Sequence, residues 1–302
     1  MTHESTAEST AHNGLLGASD IRAIAADAGI SPTKKFGQNF VIDPGTVRKI
    51  VRTAGVTADS TVIEVGPGLG SLTLGLLETG AQVTAIEIDT PVAERLPHTV
   101  AQYMPDAVER LRVVEMDALK ATPENIGITS EKPLTLVANL PYNVATPIIL
   151  TMLERFTNIA SFVVMVQKEV ADRLCAGPGN KVYGVPSVKL AWYGTATPAG
   201  VIGRNVFWPA PHVDSALVEF HRFNTTTHTP LNLRDPELRT TVFDLIDTAF
   251  SQRRKTLRAV LKKRVASEAF DIAGIDSGRR GETLTIDDFI RLAQAQQEIN
   301  AD

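Results

Sequence analysis

Thr61-Val-Ile-Glu-Val-Gly-Pro-Gly-Leu-Gly70, continuing into Ser71-Leu-Thr-Leu-Gly-Leu-Leu77, is the stretch on which the fold turns. The β-branched run Thr61–Val65 predicts a short strand, the glycines a tight turn, and the apolar residues from Leu72 to Leu77 a helix. A glycine-rich turn between a strand and a helix lets the backbone approach a ligand at the carboxyl edge of a parallel sheet. The spacing here is G-x-G-x-G, not the G-x-G-x-x-G of a dinucleotide loop. Pro67 removes an amide that a pyrophosphate would want, and the acidic Glu64 stands just before the turn. Both features favour a loop for S-adenosyl-L-methionine over one for NAD. A bare structural turn is the competing reading of the loop alone.

Working outward, Gln82–Ile88, Leu111–Glu115, Leu134–Ala138 and Ser161–Val166 predict further strands. A helix is entered at Thr90–Pro91, with the proline in a tolerated first-turn position, and others fit at about 145–156 and 168–176. Strands alternating with helices imply an α/β fold, a doubly wound and mostly parallel seven-stranded sheet of Rossmann-like type. Runs at about 186–195 and Ser215–Phe223 read as closing strands. Before the sheet, a helix is expected from Asp20, and Asp43 reads as the N-cap of another, worth about 1 kcal/mol. Residues 1–18 read as a disordered tail, and Asn224–Pro230 as a linker. Beyond it the pattern is helical only, over 235–250, 252–264, 266–273 and 285–298. The expected organisation is an S-adenosyl-L-methionine-binding domain at 19–224 and a small all-helical domain at 232–302.

Composition bounds what such a chain can be. It has 302 residues, 43% of them hydrophobic, and a net charge of −4, which excludes disorder throughout. The apolar runs are too short to span a membrane, and the polar N-terminus lacks the form of a secretory signal. The single cysteine, Cys175, excludes an internal disulfide and a cysteine-rich zinc site; a cytoplasmic protein is expected. His212 lacks a second histidine or cysteine at metal spacing, so no metal is expected. Charge is unevenly placed: residues 1–30 carry −3 and 265–302 carry −5, which leaves +4 for the middle. Arg253, Arg254, Lys255, Arg258, Lys262, Lys263 and Arg264 have no acid among them. On a helix, Arg254, Arg258 and Lys262 share a face. Phosphate binding is the stronger reading of this cluster, an ordinary solvated face the weaker.

Three further positions carry chemistry. Glu87 ends the second strand, 21 residues after Gly66, where a carboxylate can accept from both hydroxyls of a ribose. Asp117 follows the third strand, where a carboxylate can accept from an adenine amine; a turn cap is its alternative. Asn139-Leu140-Pro141-Tyr142 closes the fourth strand and suits methyl transfer to the exocyclic amine of a base. That nitrogen is a poor nucleophile because its lone pair is delocalised into the ring. The Asn139 oxygen and the Leu140 carbonyl can accept its N–H bonds and stabilise the growing positive charge. Tyr142 offers a ring on which a base stacks, worth roughly 1–3 kcal/mol.

These segments resemble the ribosomal RNA adenine N6-dimethyltransferase family, and within it the small-subunit (16S) branch. The likeness rests on Lys35-Phe-Gly-Gln-Asn-Phe40, Glu64–Thr73, Asn139-Leu-Pro-Tyr-Asn143 and Gln167–Leu174. It continues through Val206-Phe207, Pro209-Ala-Pro-His-Val-Asp-Ser-Ala216 and Ala249-Phe-Ser-Gln-Arg-Arg-Lys-Thr-Leu257. It implies that Asn39, Val41 and Gly66 lie by the methionine part of the cofactor, that Glu87 holds the ribose and Asp117 the adenine. Asn139 would stand between cofactor and target, and Phe207 would face Tyr142 across the base; a core Phe beside Trp208 is the alternative. Lys34 and Lys35 would add to the RNA grip of Arg253, Arg254, Lys255, Arg258 and Lys262. The implied activity is dimethylation of two adjacent adenosines near the 3′ end of 16S rRNA in the immature small ribosomal subunit; a monomer is expected, because no long apolar seam is left over. The alternatives are a large-subunit rRNA adenine methyltransferase of the antibiotic-resistance type, and an assembly factor acting chiefly by binding. An NAD-dependent oxidoreductase fails on the loop spacing.

Overall fold

The computed structural model describes residues 14–32, 38–128, 132–223 and 235–301. In chain order the first elements are α1 (Ala18–Asp27), β1 (Phe40–Val41), α2 (Pro44–Thr53), β2 (Thr61–Val65), α3 (Ser71–Glu78), β3 (Gln82–Glu87), α4 (Thr90–Tyr103) and β4 (Leu111–Glu115). Then come β5 (Leu134–Asn139), α5 (Ala145–Arg155), β6 (Ile159–Gln167), α6 (Lys168–Leu174), α7 (Val185–Ala191), β7 (Gly194–Ile202), β8 (Phe207–Trp208) and β9 (Ser215–Arg222). The chain closes with α8 (Pro236–Phe250), α9 (Leu257–Leu261), α10 (Ser267–Ile272) and α11 (Ile286–Ala301).

Seven strands form one sheet in the order β4-β3-β2-β5-β6-β9-β7. β4 to β6 run parallel, and β9 and β7 are antiparallel to their neighbours. Strand side chains alternate between the two faces. Ile63, Leu136, Val164 and Val218 enter one apolar core with α5 to α8, and Val62, Val137, Val163 and Leu217 enter the other with α1 to α4. Both faces are covered, so the inner strands read as nearly continuous apolar runs. The chain passes from β2 outward through β3 to β4, then returns to β5 on β2's other side. The carboxyl ends of β2 and β5 therefore meet at a topological switch point, where open α/β sheets bind ligands.

Local chemistry explains the element boundaries. Asp43 caps α2 by accepting from the Thr46 amide at 2.7 Å, and Pro44 sits where its missing N–H is harmless. The run expected as a strand at 186–195 is instead α7 followed by the start of β7. Val188, Leu190 and Trp192 are all buried, and their spacing of two mimics a strand. Pro186 in the first turn and the Ser187 hydroxyl, which accepts from the Gly184 amide, start a helix there. β7 itself is an edge strand with few buried residues, so its apolar signal is weak.

The helix expected over 252–264 shrinks to Leu257–Leu261. The Leu257 and Arg258 amides donate to the carbonyls of Arg279 and Ser277, and these bonds replace helical ones. Arg254 therefore precedes the helix and does not share a helical face with Arg258 and Lys262. At the other end, Leu16 is fully buried, so the chain has already joined the core inside the span expected to be a tail. Residues 1–13, Lys34, Lys35 and the expected linker at 224–230 lie outside the described residues. The C-terminal helices do not enclose a core of their own: Leu238, Val242 and Ile246 of α8 belong to the same cluster as Phe162 and Phe220 of the sheet. Trp192 and Phe243 join the two regions edge to face at 6.0 Å.

Candidate functional site

A cavity of ≈ 230 Å³ opens at the switch point, and its wall is made by the ends of β2, β3 and β5 with the segment Gln38–Val41. The glycine loop allows this close approach. Gly68 has a φ of +55°, and a Cβ there would stand 2.8 Å from the Phe40 ring. Gly66, with a φ of +68°, donates its amide to the Ile86 carbonyl at 2.9 Å. Asn39, Val41, Gly66, Glu87, Asp117, Asn139, Leu140 and Tyr142 all lie on the wall of this one cavity.

Each side chain is held by identifiable bonds. Glu87 is 6% exposed; its Oε1 accepts from the amides of Ile88 and Asp89 at 2.9 and 3.0 Å, and its Oε2 from that of Gly68 at 3.4 Å. Burial pushes its carboxyl above the usual range, and these three amides oppose that. Asp117 acts as the turn cap of its alternative reading and also lies on the cavity wall. Its Oδ1 caps a short turn through the Leu119 amide at 2.9 Å while the residue lines the cavity. Asn139 donates from Nδ2 to the Asn39 carbonyl at 3.0 Å. That bond fixes which way the amide faces, so Oδ1 is left as the acceptor. The Leu140 carbonyl accepts no backbone hydrogen bond among the described residues. Two acceptors thus stand side by side at the end of β5.

The Tyr142 hydroxyl is 2.7 Å from Oγ of Ser215, which is wholly buried at the start of β9. The bond braces the tyrosine ring, on the turn after β5, against a strand two positions away. Phe207, expected to face Tyr142, packs in the core beside Val41 and Trp208. It is 3% exposed, pairs with Val41 across the β1–β8 ribbon, and is not on the cavity wall. Burial against Val41 and the core around it outweighs exposure of the ring to an open cavity.

Two residues of the site had no assigned role in the sequence. Gln38 donates to Asp89 at 2.7 Å and straps the 38–41 segment across the cavity, and Ser71 donates to the Val41 carbonyl at 2.6 Å. A polar pair separated by 51 residues leaves no local pattern. Cys175 is a packing residue: burial pushes its thiol up to about 11, far from a reactive thiolate.

The basic cluster divides into two groups. Arg253 is engaged with the carbonyls of Lys181 and Tyr183 and with Glu282, and Arg264 pairs with Asp244. Arg254, Lys255, Arg258, Lys262 and Lys263 are exposed and form no ion pair among the described residues.

The electrostatics of the cavity select a ligand class. Its wall carries Glu64, Glu87 and Asp117 and, among the described residues, no lysine, arginine or histidine. Such a wall suits a cationic ligand and opposes a pyrophosphate. S-adenosyl-L-methionine carries a sulfonium and an ammonium group, and the donor set fits it. Glu87 would hold its ribose and Asp117 its adenine.

The brace on Tyr142 has a measurable consequence. Losing one neutral hydrogen bond of about 1 kcal/mol corresponds to roughly a fivefold rate change. Ser215→Ala and Tyr142→Phe should each slow single-turnover methylation about fivefold, and the double variant should be no slower than either. Rate losses that multiply would show that the two hydroxyls act independently.

The family model for ribosomal RNA adenine dimethylase matches residues 31–298. Among curated proteins, the chain is 70% identical to a ribosomal RNA small subunit methyltransferase A of Bifidobacterium adolescentis, over 95% of this chain and 96% of that one. It is 55% identical to the protein of the same name from Leifsonia xyli, over 92% and 98%. Among solved structures, a dimethyladenosine transferase from Plasmodium falciparum superposes with a TM-score of 0.70 at 23% identity, covering 87% of this chain and 98% of that one. The 23S rRNA methyltransferase ErmE gives 0.62 at 24%, covering 86% and 100%. These two structural likenesses concern the fold; the sequence matches carry the assignment. With a cationic-ligand cavity, paired acceptors at the end of β5 and a family match over most of its length, the chain belongs to the ribosomal RNA adenine dimethylases and uses S-adenosyl-L-methionine.

Proposed function

We propose that this enzyme dimethylates the N6 amines of two adjacent adenosines near the 3′ end of 16S rRNA, in the immature small subunit. The observation that carries the chemistry is the fixed Asn139 amide beside the free Leu140 carbonyl. Bound S-adenosyl-L-methionine supplies an electrophilic methyl group. Oδ1 of Asn139 and the Leu140 carbonyl accept the amine's N–H bonds and draw the nitrogen toward tetrahedral geometry. Both dipoles strengthen their hold as the nitrogen becomes positive, which is where transition-state stabilisation is gained. The alkylated ammonium is acidic enough to lose its proton to water, so no strong general base is required. After the first methylation one N–H remains, and either acceptor can hold it for the second. The Tyr142 ring stacks the target base, with its orientation set by Ser215. The phenol stays neutral because burial raises it above its ordinary range.

The small-subunit target is supported by the names of the curated relatives and by their coverage of nearly the whole chain. The RNA grip is assigned to Arg254, Lys255, Arg258 and Lys262, with Arg253 acting as a strut between the C-terminal helices and the 181–183 segment. The sheet region at 19–224 would hold the cofactor and the region from 232 the RNA. No helix among the described residues is long and apolar enough to cross a membrane.

Mass spectrometry of rRNA from cells with and without the gene tests the target: loss of dimethyladenosine from 16S rRNA is expected. Loss from 23S rRNA would instead favour the large-subunit reading. No loss, with subunit maturation delayed, would favour an assembly factor. The RNA surface has its own test. Arg254→Glu with Arg258→Glu should weaken RNA binding and shallow the log–log salt slope by about 0.7–0.9 for each phosphate no longer neutralised. Cofactor affinity should not change. An unchanged slope would return these residues to a solvated face.

A further inference from the structure

Glu64 belongs to the cavity, yet the methyl-transfer chemistry does not use it. It ends neither strand nor turn: it lies inside β2, between Ala85 of β3 and Val137 of β5. It is 1% exposed. Its Oε2 accepts from the Thr73 hydroxyl of α3 at 2.7 Å, and its Oε1 is buried with no hydrogen-bond partner. A buried carboxylate oxygen without a donor is costly when the group is charged and much less so when it carries a proton. The groups that face it repeat the message. β3 contributes Glu87, and α3 contributes only the neutral Thr73. The rest of the cavity wall adds Asp117 beyond β4 and the neutral Asn139, Gln38 and Asn39. Among the described residues, no cationic side chain on the cavity wall balances these acids.

We propose that Glu64 holds a proton while the cofactor cavity is free and releases it to solvent when S-adenosyl-L-methionine binds, acting through space on the cofactor's positive charge. The inference rests on the cofactor assignment above. Burial, then the nearby Glu87, push the Glu64 carboxyl up to about 8, against the bond from Thr73. A cationic ligand lowers it again, because opposite charge at short range favours the ionised form. The sign follows from linkage. Binding that releases a proton strengthens as pH rises, by up to tenfold per pH unit below about 8, and levels off above it. The cofactor-free protein behaves in the opposite sense. Its Glu64 is raised above the unfolded value, so the stability it contributes is full at acid pH and is lost as pH rises toward 8.

Titration calorimetry with S-adenosyl-L-methionine in phosphate and in Tris, at pH 7, counts the protons released. About 0.5 to 1 proton per cofactor more should be released by the wild type than by Glu64→Gln, which keeps an acceptor for Thr73 and cannot ionise. Any proton lost by the cofactor's own ammonium is common to both proteins and cancels. The pH dependence of affinity between 6 and 9 should flatten in Glu64→Gln. Should that variant fail to fold, Thr73→Val serves instead: removing the hydroxyl should move the plateau of wild-type affinity to higher pH. Equal proton release by wild type and Glu64→Gln, or an unmoved plateau in Thr73→Val, overturns the proposal. Absence of any binding heat in the wild type would instead strike at the cofactor assignment.

Discussion

Asn139→Ala should reduce single-turnover methyl transfer on the order of 100-fold or more, while RNA affinity changes little. The reasoning is one of differential binding. In the ground state the amine is neutral and Oδ1 of Asn139 accepts an ordinary hydrogen bond. In the transition state the nitrogen is becoming an ammonium, and the same oxygen faces a charged donor that bonds about twice as strongly. An interaction that grows along the reaction coordinate accelerates the step. The structure adds preorganisation: Nδ2 is bound to the Asn39 carbonyl at 3.0 Å, so the oxygen needs no reorientation when the base arrives. Asn139→Asp is informative for the same reason. A carboxylate has no N–H for Asn39 and would face its carbonyl with a lone pair, so activity should fall despite equal size. Rapid quench on a small-subunit substrate measures the rate, and filter binding the affinity. A wild-type rate in folded Asn139→Ala would remove the residue from the mechanism.

Glu87→Ala should weaken S-adenosyl-L-methionine binding by about 10- to 150-fold, the equivalent of losing roughly 1.5–3 kcal/mol of hydrogen bonding to a charged group. Glu87 has a second task besides the ribose. Its two oxygens gather the amides of Gly68, Ile88 and Asp89, which tie the glycine loop to the turn after β3. Alanine removes both tasks. Glu87→Gln keeps an oxygen for the amides, so its loss should be smaller, and the comparison separates ribose binding from loop tethering. Calorimetry provides both affinities, with circular dichroism as the check on folding. Unchanged affinity in folded Glu87→Ala would take Glu87 out of the cofactor site.

What the sequence made legible was whatever depends on neighbours along the chain. The strand, turn and helix at 61–77 combine a change of apolar period with glycines at fixed spacing, and Asp43 lies three residues before the amide it caps. The residues at strand ends, Glu87, Asp117 and Asn139, follow from knowing where parallel strands stop. What stayed hidden depends on partners far away in sequence. The period of two in Val188, Leu190 and Trp192 arises because a short helix is buried on more than one side. The Tyr142 ring could be read from its type, but its hydroxyl could not, because Ser215 stands 73 residues on. Phe207 illustrates the same limit: a resemblance assigned it to the target pocket, while β1 across the ribbon draws it into the core. In the basic cluster, charge alone could not separate the engaged Arg253 from the free Arg254. Glu64 was visible as an acid before a glycine turn, but its unpartnered oxygen emerges only once β3, β5 and α3 close around it.

We propose that this chain methylates the N6 amines of paired adenosines in small-subunit RNA through the acceptors at the end of β5. The most direct test is a reconstitution. Purified protein and methyl-labelled S-adenosyl-L-methionine are incubated with immature small subunits, or with large subunits, from cells lacking the gene, and the RNA is digested to nucleosides. Label is expected in N6,N6-dimethyladenosine at two adjacent positions near the 3′ end of 16S rRNA, and none when the protein carries Asn139→Ala. Label in 23S rRNA, or dimethylation that survives Asn139→Ala at the wild-type rate, would contradict the proposal.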